Sequence, residues 1–192
     1  VSKDPSTEIN EHLVITVTKE KNDGTLTTTV YKNEDLTSPF EKISEDTWRA
    51  TLLFAEDADY SFKIEYTDFS GNVAEAYSDA FTVDNINPRI AVSYDNNSAK
   101  NGKYFAADRE MTITVTEHNF NASDVSATVA NAKATGSVAD FAAYLKNSVS
   151  WISDGDVHTA KIHFTTEADY TFDIKYTDKS GRTNDAVDYG NS

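Results

Sequence analysis

The histidines are the residues of this chain that most readily suggest catalysis or metal binding, and there are four of them. His158 and His163 lie five residues apart in a segment that alternates like a β-strand. Their side chains are therefore expected on opposite faces, where they cannot share a metal ion. His12 and His118 occupy unrelated positions. The chain has no nucleophile elbow, phosphate-binding loop or HExxH zinc motif. These observations predict a protein that is not an enzyme and has no catalytic residues.

Carboxylates are the second group that could do chemistry, because Asp and Glu outnumber Lys and Arg by 32 to 17 and give a net charge of −15. This balance opposes binding to nucleic acid or anionic membranes, whose phosphates attract clusters of Lys and Arg. Calcium, however, prefers oxygen ligands. The calcium candidates lie at an expected domain junction and in loops predicted near it: Asp84, Asn85, Asn87, Asp154, Asp156 and Asp178. Charge runs are usually solvated, so we expect these groups to repel one another without a metal cofactor, and calcium is the alternative.

Aromatic side chains could form a glycan-binding surface if several of them were exposed together. Most of the Tyr and Phe residues fall on core-facing positions of predicted strands. Trp48 is in phase with Ala50, which favours the core or its edge. Trp151, Tyr104 and Phe105 remain as candidates for sugar contact.

The chain contains no cysteine, which excludes disulfides, thiol catalysis and thiolate zinc sites. Its apolar runs are only a few residues long, so no segment is predicted to insert into a membrane. The first residues, VSKDP, do not resemble a signal peptide. Small secreted domains of eukaryotes usually depend on disulfides, so an extracellular protein without them is more typical of bacteria.

An internal repeat organises the chain. Residues 57–72 (DADYSFKIEYTDFSGN) and 167–182 (EADYTFDIKYTDKSGR) are identical at ten of 16 positions. The segments before them, residues 48–54 and 158–164, keep the same offset and the same alternation. Two similar blocks in the same order indicate a duplication.

Both copies of the block alternate with the period of a half-buried strand, which predicts the core residues Tyr60, Phe62, Ile64, Tyr170, Phe172 and Ile174. Gly71 and Gly181 are expected to supply positive φ in the turns that follow. Many short alternating strands and a repeat of this size predict all-β structure, as two tandem immunoglobulin-like antiparallel β-sandwiches. Tyr60 and Tyr170 stand two residues before Phe62 and Phe172, which is the spacing of the tyrosine corner to the second core cysteine of antibody domains.

A second alignment concerns the earlier strands. Residues 15–18 (ITVT) recur at 113–116, which implies about twelve extra residues between the two matched blocks in the second repeat. Val138, Phe141, Ala142 and Leu145 in that region share one face of a helix, so we expect a short helical insertion there, capped by Ser137.

A known family is recognisable in residues 90–104 (IAVSYDNNSAKNGKY), 113–120 (ITVTEHNF), 155–159 (GDVHT) and 169–172 (DYTF). These segments resemble the bacterial Ig-like domain repeats of Gram-positive cell-surface proteins. The similarity covers most of residues 88–192 and the later half of the first repeat. We expect domain 1 at residues 1–87, without its N-terminal strand, and domain 2 at 88–192, with a truncated last strand.

The resemblance implies a non-catalytic module of an extracellular protein that is anchored to the cell wall or secreted. Two functions follow as expectations. In the first, the repeats form a stalk or an adhesin segment that contacts neighbouring Ig-like repeats. In the second, the chain itself binds a host ligand, which would be a glycoprotein, an immunoglobulin or a glycan.

Overall fold

The computed structural model describes residues 11–35, 38–45, 47–137, 140–147 and 151–187. The chain divides into two compact units, unit 1 (Val1–Asn85) and unit 2 (Ile86–Ser192). The regular structure is mostly β, in several antiparallel sheets. The predicted all-β class is therefore confirmed. No helix in the described ranges has the length and apolar character needed to cross a bilayer.

Unit 1 is built around the first copy of the repeated block. Its strands are β1 (His12–Glu20), β2 (Leu26–Lys32), β3 (Phe40–Ser44), β4 (Thr47–Ala50), β5 (Ala58–Thr67) and β6 (Tyr77–Val83). Strand β5 carries the repeated block and lies in the middle of a sheet of order β2-β1-β5-β6, while β3 and β4 pair with each other.

Unit 2 carries the second copy in a larger set of strands. These are β7 (Arg89–Tyr94), β8 (Arg109–Thr116), β9 (Val125–Ala132), β10 (Ile152–Asp154), β11 (Val157–Phe164) and β12 (Asp169–Tyr176). One sheet has the order β10-β11-β8-β7, and the other contains β9 and β12. Side chains from both sheets join one core, with Met111, Ile113, Ile174 and Tyr176 at most 1% exposed. Unit 2 therefore has a β-sandwich-like arrangement.

The alternation of the repeated block is confirmed, although burial is less uniform than expected. Tyr60 and Ile174 are buried. The other predicted core residues are partly buried and pack against the two cores: Phe62, Ile64, Tyr170 and Phe172. In the turns that follow, Gly71 and Gly181 have φ of 83° and 87°, as predicted.

The alignment of residues 15–18 with 113–116 is wrong. Strand β1 pairs directly with β5, with Ile15 opposite Ile64. In unit 2, the strand that pairs with β12 is β9, with Ala127 opposite Ile174. Because Ile64 and Ile174 are equivalent in the repeat, β1 corresponds to β9 and not to β8.

This correspondence explains an exposed segment in unit 1. In unit 2, β11 is paired along its whole length with β8, from Val157 to Phe164. The described part of residues 11–85 contains no counterpart of β8. Strand β4 ends at Ala50, halfway along the stretch equivalent to β11. The side chain of Leu53, just beyond that end, is 90% exposed.

The expected helix is present as α1 (Phe141–Asn147), but it is not an insertion. The segment between β9 and β12 is about as long as that between β1 and β5, so α1 follows β9 where β2 follows β1. Phe141 and Leu145 are buried against the core, as their spacing predicts. Ser137 does not cap α1, because the Asp140 carboxylate accepts the N–H of Ala143 at 3.0 Å. Val138 and the side chain of Ala142 lie outside the described residues. So do the residues before 11 and after 187, where the missing N-terminal strand of domain 1 and the truncated last strand of domain 2 were expected.

Candidate functional site

Three loops meet at one end of unit 2, where β8 ends, where β10 turns into β11 and where β12 ends. The backbone N–H of Glu117 donates to the carbonyl oxygen of Asp156 at 2.8 Å. Beside this bond, His118 Nδ1 lies 2.9 Å from Asp156 Oδ1. We call the group formed by Glu117, His118, Asp156, His158 and Asp178 the polar cluster.

His158 has a structural role in the polar cluster. It is buried, and its ring stacks on Phe120 with centroids 4.2 Å apart. Its Nε2 lies 2.8 Å from the Glu117 carbonyl oxygen, which can only accept, so Nε2 carries the proton. Its Nδ1 lies 2.8 Å from Ser153 Oγ. This Ser–His pair lacks the carboxylate that stabilises the imidazolium of a catalytic triad, because a backbone carbonyl takes that place.

Two histidines, His163 and His12, lie outside the polar cluster. His163 lies on the opposite face of β11, as predicted, where it pairs with Glu110 on the surface. His12 pairs with Glu34 in unit 1. Within the described ranges, no group of three metal-ligating side chains includes a histidine.

Two carboxylates of the polar cluster are buried. Glu117 is 7% exposed and Asp178 is 5% exposed, and oxygens of the two side chains lie within 4.8 Å of each other. Asp178 Oδ1 accepts bonds from Ser180 Oγ and Arg182 N, each at 2.8 Å. Asp178 Oδ2 is fully buried and has no hydrogen-bond partner. A buried polar atom without a partner is costly and requires an explanation.

Tyr176 lies beside these carboxylates and is fully buried. Its hydroxyl oxygen accepts the N–H of Asn121 at 3.1 Å. Burial, and after it the negative charges of Glu117, Asp124 and Asp178, raises the pKa of Tyr176 to about 12. This end of unit 2 is therefore a site of concentrated negative charge around a neutral phenol.

The equivalent end of unit 1 has the same components in a fully bonded form. The buried carboxylate of Glu11 accepts Trp48 Nε1–H at 2.8 Å and the Tyr66 hydroxyl at 3.4 Å. The ammonium of Lys42 lies 3.7 Å from it. Tyr66 corresponds to Tyr176, and Trp48 corresponds to His158, in the aligned repeats.

Asp68 of unit 1 corresponds to Asp178, and both of its oxygens are bonded. Its Oδ1 accepts the N–H groups of Ser70 and Asn72, and its Oδ2 accepts Asn72 Nδ2–H, each at 2.8 Å. The Asn72 side chain is the main group that lowers the pKa of Asp68. In unit 2, Arg182 replaces Asn72, and its guanidinium donates to Asn87 at 3.3 Å.

The six calcium candidates do not form one site within either unit. At the end of unit 1, Asp84 follows β6, and the N–H of Asn85 donates to Asp57 Oδ2 at 2.8 Å. In unit 2, Asn87 contacts Arg182 and Asp185, and Asp154 is exposed on β10. Asp156 pairs with His118, and Asp178 alone is buried.

Glu117 was expected in an acidic loop near the domain junction but is not among the six calcium candidates. The strand alternation indicated that Glu117 is buried. It is in phase with Met111, Ile113 and Val115, which line the core. An acidic residue in that phase is expected to be buried at the end of β8.

A second feature of unit 2 is a groove of about 750 Å³ between the loop after β7 and the start of β12. Its lining includes the predicted sugar-contact candidates Tyr104 and Phe105. The Arg109 guanidinium lies 3.6 Å from the ring centroid of Tyr94 and 3.9 Å from that of Phe105. Tyr104 is 57% exposed, so the groove presents an accessible aromatic surface.

The tryptophans do not contribute to that surface. Trp151 packs on Phe120 with centroids 4.9 Å apart, and its Nε1–H donates to the Leu145 carbonyl at 3.0 Å. Trp48 is half-buried and bonded to Glu11, as expected for the edge of a core.

Comparison of the chain with protein-family models, curated proteins and solved structures found no match.

Proposed function

We propose that the chain is a non-catalytic pair of tandem Ig-like modules of a bacterial cell-surface or secreted protein, and that it acts as a spacer or adhesin segment. The observation that carries this proposal is the strand order of unit 2. Its sheet β10-β11-β8-β7 has the order expected for strands D, E, B and A of an Ig domain, and β9 and β12 then correspond to strands C and F.

The repeated tyrosines support the same proposal. The Tyr60 hydroxyl donates to the Glu56 carbonyl at 3.1 Å, and the Tyr170 hydroxyl donates to the Thr166 carbonyl at 2.8 Å. A tyrosine near the start of strand F that bonds to backbone a few residues upstream is the tyrosine corner of Ig-like domains. Both units carry it at equivalent positions.

In unit 1, the same scheme makes β1, β2, β5 and β6 the strands C, C′, F and G of one sheet, with β3 and β4 as strands D and E. A spacer needs stable modules in series, and it needs neither a reactive group nor a ligand. His158 is bonded to Ser153 and to the Glu117 backbone, and His163 pairs with Glu110 on the surface, so the proposal assigns both histidines structural roles.

The second candidate function is direct binding of a host glycoprotein, immunoglobulin or glycan. It is favoured by the groove beside Tyr104 and Phe105, because accessible aromatic surfaces often mark binding sites. Its lining carries both charges, with Glu167 and Asp169 on one side and Lys103 and Arg109 on the other, so it presents polar groups of either sign to a ligand.

Binding of the whole chain to immobilised mucin, immunoglobulin and a glycan array separates the two functions. For a spacer, we expect no signal above that of an unrelated protein. Tyr104→Ala removes the aromatic surface of the groove, and Tyr77→Ala is the matched control, since Tyr77 is equally exposed in unit 1. If the wild type and Tyr77→Ala bind and Tyr104→Ala does not, the result contradicts the spacer proposal and supports the second candidate.

A further inference from the structure

We propose that unit 1 accepts an extended β-strand along one edge of β4 and of the segment that follows it, residues 47–54, which we call the acceptor edge. The occupant is a strand of the β8 type, supplied by a neighbouring Ig-like repeat. This inference rests on the proposed function, because it requires other modules of the same kind beside this chain, and it specifies one contact between them.

The acceptor edge is the side of β4 that faces away from β3. Strand β4 pairs with β3 on one side and with no strand of the described residues on the other. Residues 51–54 pair with no strand in the described part of unit 1. Residues 50–54 (ATLLF) contain neither a charged residue nor a proline, which are among the features that protect an edge from further pairing. The acceptor edge is therefore a template for one more strand.

Unit 2 shows which strand occupies the equivalent edge. The matching stretch of β11 pairs antiparallel with β8, with Ile162 opposite Met111. Ile162 is 2% exposed, whereas its counterpart Leu52 is only partly buried. Ala160 is 1% exposed, and its counterpart Ala50 is again only partly buried. The same positions of the repeat are thus fully buried in the unit that has this strand and accessible in the unit whose described residues lack it.

The alternation of β8 defines the chemistry of the occupant. Its side chains Met111, Ile113 and Val115 face the core and are 0% exposed. In the register of unit 2, the first two of them would lie opposite Leu52 and Ala50. The occupant therefore needs apolar side chains at alternate positions, which give specificity, while its backbone pairs with the edge and gives affinity.

Charge favours such a strand over a second copy of unit 1. Residues 1–85 contain 7 basic and 18 acidic residues, a net charge of −11, so two copies of unit 1 repel each other. The β8 sequence contains one Arg and one Glu and is neutral. In this chain β8 is already paired on both sides, with β11 and β7, so the donor is another repeat.

The test is the binding of a dye-labelled peptide with the β8 sequence (REMTITVT) to the whole chain, followed by fluorescence anisotropy. We expect saturable binding of one peptide per chain. In the peptide, Ile113→Asp places a charge on the core-facing side and should weaken binding at least about tenfold. Thr112→Asp adds the same charge on the opposite face, so this matched control should bind within about twofold of the parent peptide.

A cysteine placed on the acceptor edge tests the register, because the chain has no cysteine of its own. His163 lies opposite Glu110 in unit 2, so its counterpart Leu53 should lie opposite Glu110 of the bound peptide. Leu53 is 90% exposed, so Leu53→Cys leaves the core of unit 1 unchanged. In a glutathione redox buffer, this variant should form a disulfide with the Glu110→Cys peptide at least about tenfold faster than with the Thr116→Cys peptide, as measured by intact mass.

Absence of peptide binding by the whole chain would overturn this inference, and so would equal binding of the Ile113→Asp and Thr112→Asp peptides. A dimer of the chain that the parent peptide does not dissociate would show that a second copy occupies the acceptor edge, which also overturns it. These results leave the spacer proposal standing, because that proposal is tested separately by binding to mucin, immunoglobulin and glycans.

Discussion

Ile174→Ala should lower the free energy of unfolding of unit 2 by about 2–5 kcal/mol, the usual range for truncation of a large aliphatic core residue. Ile174 is 1% exposed and lies on β12 among side chains from both sheets. Its removal leaves a cavity at the centre of the unit, because the two sheets that contribute side chains to this core restrict collapse. Denaturant unfolding followed by a unit 2 signal, such as Trp151 fluorescence, measures the change.

Lys175→Ala is the control for this experiment. Lys175 is the next residue on the same strand, its side chain is exposed, and its ammonium lies 3.8 Å from Asp173 Oδ2 on the surface. We expect a change of less than about 0.5 kcal/mol, since exposed ion pairs contribute little. Equal effects of the two substitutions would contradict the assignment of the β12 faces.

Alkaline pH should destabilise unit 2 through Tyr176. Burial, followed by the nearby carboxylates, raises the pKa of Tyr176 in the folded state to about 12, whereas an unfolded tyrosine ionises near the ordinary value of 10.0. Below pH 10 the phenol is neutral in both states, so the stabilisation is fully present. Between pH 10 and 12 only the unfolded state releases the proton readily, and stability falls by about 2–3 kcal/mol in total.

Tyr176→Phe isolates this effect from the other nine tyrosines. The variant should lose the Tyr176 part of the decrease, so the stability difference between it and the wild type should change by about 2–3 kcal/mol between pH 9 and pH 12. Denaturant unfolding at several pH values provides the measurement. Parallel pH profiles for the two proteins would show that Tyr176 ionises normally in the folded state.

The repeated block was predictable from the sequence because both of its copies alternate over a full strand and end in the same glycine turn. The position of β1 in the sheet was not predictable in this way. The match between ITVT at 15–18 and ITVT at 113–116 reflects a composition that suits any half-buried strand, and the strand's identity depends on its partner. Only the register of β1 against β5 and of β9 against β12 identifies the equivalent strands.

The helix α1 was also predictable from the sequence only in part. The spacing of Phe141 and Leu145 predicted the buried face, because it depends on local periodicity. Its start was placed too early, since several polar residues before it could cap, and the bond to Asp140 decides among them. The expectation that the helix is an insertion was wrong, because the chain length between the strands was counted from the alignment of β1 with β8.

Part of the candidate site could be read from the sequence. Asp178 was among the calcium candidates, and the phase of Glu117 with Val115 indicated burial. The unbonded state of Asp178 Oδ2 could not be predicted, because Arg182 carries several donors and their directions depend on the folded turn. One of these donors bonds Asn87.

The central claim is that both units follow one strand plan in which β1 corresponds to β9, and engineered disulfides test it most directly because the chain has no cysteine. Thr128 lies opposite Asp173 and Thr16 lies opposite Lys63, with strand spacing that suits a disulfide. We predict that the cysteine pairs Thr128→Cys with Asp173→Cys and Thr16→Cys with Lys63→Cys each oxidise completely in the folded protein, as measured by intact mass. The shared plan would be contradicted if the Thr16→Cys and Lys63→Cys pair did not close and Thr16→Cys instead formed a disulfide with Arg49→Cys. That result would restore the alignment of β1 with β8.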